Sequence, residues 1–196
     1  MFKLENIGEG AVRSADLPRR RGVRPKTIHA PLHLQCNGHG NPKHLNELIQ
    51  QIRGWPDIES NPPSIARPDT LSICLVERAI AQNANTFIAE REIARVLLGA
   101  PTIYLALPLV TAHWAIIRGW AEPHYLGSHG LMPAGVVVLY TPRDEEERAV
   151  CYSLFAESYD CSRTGRDQIS KLDRLRSYEA MPQCETGVYL GSKCES

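Results

Sequence analysis

Gly135-Val136-Val137-Val138-Leu139-Tyr140 is apolar from end to end and dominated by β-branched residues. A short continuous apolar run of this kind, closed by Pro142, predicts a strand buried inside a sheet. Upstream, Thr102-Ile103-Tyr104-Leu105-Ala106-Leu107 is a second strand candidate, apolar with some alternation. Gly99-Ala100-Pro101 before it has the composition of a hairpin turn and points back to a strand within Thr86 to Leu98. Thr70 to Val76 adds another β-rich stretch.

Helices fill the spaces between these strands. Asn41 is a good N-cap ahead of Pro42, and Leu45, Leu48, Ile49 and Ile52 form one apolar stripe. A helix therefore runs from Pro42 to Trp55, stopped by Gly54 and Pro56. Pro108 opens a second through Trp120, with Leu109, Ala112, His113, Ile116 and Ile117 mainly on one face. The acids of Asp144-Glu145-Glu146-Glu147 suit the positive end of a third, with Val150, Leu154 and Tyr159 on its apolar side. Four prolines between 56 and 69 predict a loop. The expected fold is a single α+β domain, an antiparallel sheet with helices packed on one face. The expected organisation is an extended basic arm over 1–42, the domain over 43–160, and a polar tail over 161–196 with a weak helix near Ile169 to Tyr178.

Composition narrows the function. The chain has 196 residues, with 22 Lys+Arg against 22 Asp+Glu and a net charge of zero. Nucleic acid is not expected as a partner, because phosphate binding needs a basic excess; the Arg19-Arg20-Arg21 and Arg24-Pro25-Lys26 stretch reads as a solvated basic turn. No apolar stretch approaches the length of a membrane span. Met1-Phe2-Lys3-Leu4-Glu5 does not open a secretory signal, so a cytoplasmic location and reduced thiols are expected, with Cys184 and Cys194 able to bridge only on oxidation.

Two constellations have chemical potential. His29, His33, His39 and His44 surround Cys36, and H-x-x-C-x-x-H is compatible with metal coordination. No second ligand pair follows downstream, so no metal is expected to be needed for folding or activity. The other is Gly119-Trp120-Ala121-Glu122-Pro123-His124, just past a helix where chains display functional side chains. Glu122 is a candidate base, His124 a candidate acid or base, and Trp120 a flat apolar wall.

This run, with Arg91-Glu92-Ile93-Ala94, Leu105-Ala106-Leu107-Pro108 and Tyr140-Thr141-Pro142-Arg143-Asp144, resembles the luciferase-domain family over roughly residues 45–160. The family name implies little about light emission, since most members have no established activity. The family pattern implies a His-x-His pair and a Ser-x-His where this chain has Arg95 and Leu97, then Thr102 and Tyr104. Leu97 can neither bind metal nor move a proton. Tyr104 and Arg95 can still donate hydrogen bonds to a carbonyl or enolate oxygen.

Two function classes follow. The first is a small-molecule biosynthetic enzyme, a cofactor-independent cyclase or isomerase of secondary metabolism acting on an apolar carbonyl-bearing substrate. In it Tyr104 and Arg95 lie on one face of a hairpin as donors, Glu122 or His124 moves the proton, and Trp120, Glu92 and Arg91 bound the substrate. The second is a non-catalytic small-molecule-binding or interaction protein on the same fold, with Arg95 paired to a carboxylate and Tyr104 packed in the core. No redox or nucleotide cofactor is expected, because G-x-G-x-x-G and G-x-x-x-x-G-K-[ST] are absent, and a G-x-S-x-G elbow is absent too. The expected partner is the apolar substrate, with a homodimer left open.

Overall fold

A computed structural model describes residues 16–29, 32–61, 69–82 and 86–165. The expected tail helix at 169–178, Cys184 and Cys194 lie outside these residues. Among the described residues, no helix is long and apolar enough to cross a membrane.

Six strands build one antiparallel sheet: β3 Ile58–Asn61, β4 Thr70–Leu75, β5 Glu92–Leu97, β6 Thr102–Ala106, β7 Ala121–Pro123 and β8 Val136–Leu139, in the order β3-β4-β5-β6-β8-β7. The two decisive sequence runs are neighbours, β6 against β8, with Tyr104 opposite Val138. All four residues of β8 are buried, as a run apolar on both faces requires. The loop expected over 56–69 is corrected at Ile58–Asn61, which is a strand, and its part over 62–68 lies outside the described residues. Its prolines flank Ile58–Asn61 without entering it, so the ladder to β4 is uninterrupted. The stretch after Trp120 is corrected in the same way. Ala121–Pro123 is an edge strand on β8, where a proline is tolerated because one side of the ladder is open.

The helices are α1 Pro42–Arg53, α2 Leu109–Ile117, α3 Tyr125–Ser128 and α4 Glu145–Thr164. The Asn41 side chain accepts from the Lys43 N–H at the start of α1, and the Asp144 side chain from the Glu147 N–H at the start of α4. Leu48 and Ile52 of α1, Ala112 and Ala115 of α2, and Leu154, Phe155 and Tyr159 of α4 share one core with Ile73, Ile103, Leu105, Val137 and Leu139 of the sheet. Each Leu, Ile, Val or Phe among them contributes roughly 1.5–3 kcal/mol on removal from water.

A smaller apolar cluster lies on the opposite face, where Leu97, Tyr104, Ala106, Val136 and Val138 are buried. The segment before α1 covers it. Its hairpin of β1 Thr27–Ile28 and β2 Leu34–Gln35 lays Leu32 and Leu34 on this cluster. Gln35 N–H donates to Thr102 Oγ1 (3.0 Å), and Gln35 Oε1 accepts from Thr141 N–H (3.0 Å). Farther back, Arg20 donates to the Thr141 carbonyl and to Glu147, and Gly40 packs so close to Arg143 that a Cβ would come within 2.1 Å of its Cα. The described residues on both sides of the hairpin are thus fastened to the chain that follows β8.

Candidate functional site

Strand register sets out the site. Ser72 pairs with Arg95, Arg95 with Tyr104, Tyr104 with Val138, and Val138 with Glu122. These five residues form one row across five strands, and side chains in a row share a face. It is the face away from α1 and α4. His124 follows in the next row, its N–H bonded to the Val136 carbonyl (3.1 Å).

Glu92 joins this face through a bulge. Ile73 pairs with Ala94 and Cys74 with Glu92, so Ile93 is an extra residue on β5. Ile93 and Ala94 are both buried in the helix-side core, and the alternation restarts with Glu92 on the side of Arg95. Arg95 grips Glu92 bidentately through Nε (2.8 Å) and Nη2, and Ser72 Oγ donates to the same carboxylate (2.6 Å). Arg91 reaches the edge instead, donating to Glu59 (3.1 Å) and to the Leu75 carbonyl (2.9 Å).

At the other end of the row, Glu122 is the centre. Thr27 Oγ1 (2.6 Å) and His33 Nε2 donate to Oε1, and Tyr140 Oη donates to Oε2 (2.8 Å). His33 Nδ1 accepts from the Tyr125 N–H (3.2 Å), which places the proton on Nε2 facing Glu122. The His29 ring lies edge-on to His33 at 4.4 Å, and the His124 ring is 5.2 Å from it. Tyr125 stacks on both His29 and His124. Tyr104 connects the parts: its ring meets His124 edge-on at 4.6 Å, and its hydroxyl donates to the His33 carbonyl (2.9 Å).

Charge follows from these surroundings. Burial opposes ionisation of Glu122, but the bonds from His33, Thr27 and Tyr140 outweigh it and hold the carboxyl below its usual range. Burial, aided by the positive fields of His33, Arg95 and His29, pushes His124 down to about 4. Burial and then His33 also lower His29. Burial and Glu122 raise the Tyr140 hydroxyl, which therefore stays protonated and donating. The bond to Glu92 keeps Arg95 charged.

Arg95 and Tyr104 share a face, directly opposite each other. Nε and Nη2 of Arg95 are engaged by Glu92, and the Tyr104 hydroxyl donates to the His33 carbonyl. Arg95 is also three strand spacings from Glu122, about 14 Å at the backbone. Arg91, Glu92 and Arg95 thus gather at one end of the row, Glu122 and His124 at the other, with Tyr104 between. Trp120 needs correction: its ring packs in the helix-side core and its Nε1 donates to the Pro18 carbonyl (2.5 Å), so it walls off neither end. The H-x-x-C-x-x-H spacing gathers no ligands either. His39 contacts Thr141, and the Cys36 thiol points to the Leu34 carbonyl. What sequence reasoning missed is that His29 and His33 belong with Glu122, about ninety residues away. The histidine run was a visible signal, but the register that brings it to β7 is not local.

The family model described as the luciferase domain matches residues 90–158, just over a third of the chain. No curated protein and no solved structure matches the chain. The matched stretch supplies Glu92, Arg95, Tyr104, Glu122 and His124 on one sheet face, whereas His29 and His33 reach that face from the preceding arm. Residues 90–158 are therefore similar to the luciferase domain, over the stretch that holds all four sequence blocks.

Proposed function

We propose that the chain is a small-molecule enzyme without a redox cofactor, a cyclase or isomerase that moves a proton next to a carbonyl in an apolar substrate. One observation carries this reading: Glu122, His29, His33 and His124 form a tight group at the edge of the apolar cluster that Leu32 and Leu34 cover, and the group opens to solvent at His29. A substrate that approaches from the exposed His29 side presents its carbonyl to this group, the arrangement in which fixed donors and a base act together on one carbonyl. His124 Nδ1 accepts from the Leu126 N–H, so in this scheme its Nε2–H donates to the carbonyl oxygen and the Glu122 carboxylate takes the proton. His33, with both ring nitrogens engaged by Glu122 and Tyr125, orients the carboxylate, and the more exposed His29 lines the open side. Tyr104 is a positioning residue, because its hydroxyl holds the His33 backbone.

The alternative, a binding protein without catalysis, is favoured by the engagement of Arg95, Glu92 and Tyr104 in bonds within the chain. Exchange of the α-protons of 2-tetralone in D2O, followed by proton NMR, separates the two. The enzyme reading expects exchange faster than in buffer and at least about tenfold slower in His124→Asn. Asn keeps an acceptor for the Leu126 N–H, which His124 caps, so the local turn is preserved. Exchange that is equal in wild type and variant overturns the enzyme reading, and ketone binding retained in both then supports the binding reading.

A further inference from the structure

We propose that His29, His33 and Glu122 form a binding site for one first-row divalent transition metal ion, of the zinc, cobalt or ferrous class. One ligand atom from each lies within 4.8 Å of the other two. Two imidazoles and one carboxylate are a donor set these ions favour, and the single negative charge offsets half of a divalent cation. The sequence argued against a metal because the histidine run had no second ligand pair; the fold supplies the third ligand from β7.

Burial gives the site an inside and an outside. The His33 side chain is 1% exposed and that of Glu122 is 20%, while that of His29 is 61% exposed. The ion would be held from within and keep positions open on the His29 side, as catalytic rather than structural sites do. The carboxylate is already oriented by Tyr140 on Oε2 and Thr27 on Oε1, the supporting contacts that hold metal ligands in place. In the arrangement without the ion, the proton on His33 Nε2 sits between imidazole and carboxylate. An ion bound at Nε2 takes that place, the proton moves to Nδ1, and the long contact from the Tyr125 N–H is given up. The inference goes beyond the proton-transfer reading and does not depend on it, although an ion here would lie beside His124 and polarise the same carbonyl.

The test is titration of chelator-stripped protein with Co2+, read by visible d–d absorption and by equilibrium dialysis. About one ion per chain with a four- or five-coordinate band is expected. His29→Ala, whose side chain is largely exposed and leaves the core intact, and the near-isosteric Glu122→Gln are each expected to weaken binding at least about tenfold. The only other candidate group among the described residues is His44, Glu47 and Glu145, so His44→Ala should leave the signal unchanged. Absence of a band and of retained cobalt in wild type overturns the proposal. So does a signal that survives both substitutions, or one that disappears with His44→Ala.

Discussion

Glu147 shows how a single carboxylate fastens the arm to the domain. It accepts from Arg20 Nε (3.2 Å) and Nη2 (2.9 Å), and from Arg143 Nε (2.9 Å) and its backbone N–H (3.0 Å). The Arg20 and Glu147 side chains are only 3% and 7% exposed, so removing one charge leaves the other buried. Arg20→Ala is expected to cost about 3 kcal/mol and lower the melting temperature by roughly 6–12 °C. A loss within the error of thermal denaturation would contradict this account of the pair. Burial of Glu147 disfavours its charge, yet the Arg143 and Arg20 bonds prevail and hold its carboxyl below the usual range. The folded value is therefore lower than the unfolded one. The stabilisation is complete above the unfolded value near pH 4.3 and is lost as pH falls through the folded value. Urea unfolding should show the gap between wild type and Glu147→Gln narrowing below about pH 4. A gap that stays constant across acid and neutral pH would show that the ion pair is not its source. Tyr104→Phe removes the donor to the His33 carbonyl, and an orphaned buried acceptor costs about 1–3 kcal/mol, also visible in urea unfolding.

Close approach between elements sets a second group of requirements. A Cβ at Gly135 would lie 2.1 Å from the Leu107 carbonyl oxygen, and the Gly135 carbonyl itself accepts from the Leu107 N–H. Gly40 has a contact of the same length where the chain passes Arg143. Gly135→Ala and Gly40→Ala should each destabilise by about 1–3 kcal/mol or more, whereas Gly127→Ala in α3, with an ordinary 3.6 Å contact, should be tolerated. Equal melting temperatures for all three variants would refute these close contacts. The elements themselves were mostly legible in the sequence. The cap and stripe of α1, the acids of α4 and the apolar runs of β6 and β8 are local signals, and the structure uses each. β7 was hidden because three residues ending in proline have no periodicity, and pairing with β8 alone makes them a strand. The bulge at Ile93 was hidden for a related reason: Glu92 and Arg95, three apart, belong on opposite faces of a regular strand. Only the pairing with β4 shows the extra residue that brings them together.

At the scale of the molecule, the sheet has one face closed by helices and the other closed by its own amino-terminal arm. Tyr104, Glu122 and His124 were visible as candidates from the family-like blocks. The arm was visible only as a basic stretch with histidines, because its role depends on contacts such as Gln35 to Thr102 and Thr27 to Glu122 that span 67 and 95 residues. This arm completes the site, with Glu122 as its anchor. Amide hydrogen exchange in the peptide spanning Thr27 to Cys36, in wild type and in Glu122→Ala, tests whether Glu122 holds the arm in place. The Cys36 N–H bonded to the Lys26 carbonyl and the Gln35 N–H bonded to Thr102 should exchange slowly in wild type. Glu122→Ala removes the acceptor of Thr27 and His33 and should speed exchange there while leaving β6 and β8 protected. Exchange in wild type at the rate of an unstructured chain, or an arm indifferent to loss of Glu122, would show that the arm is not anchored there.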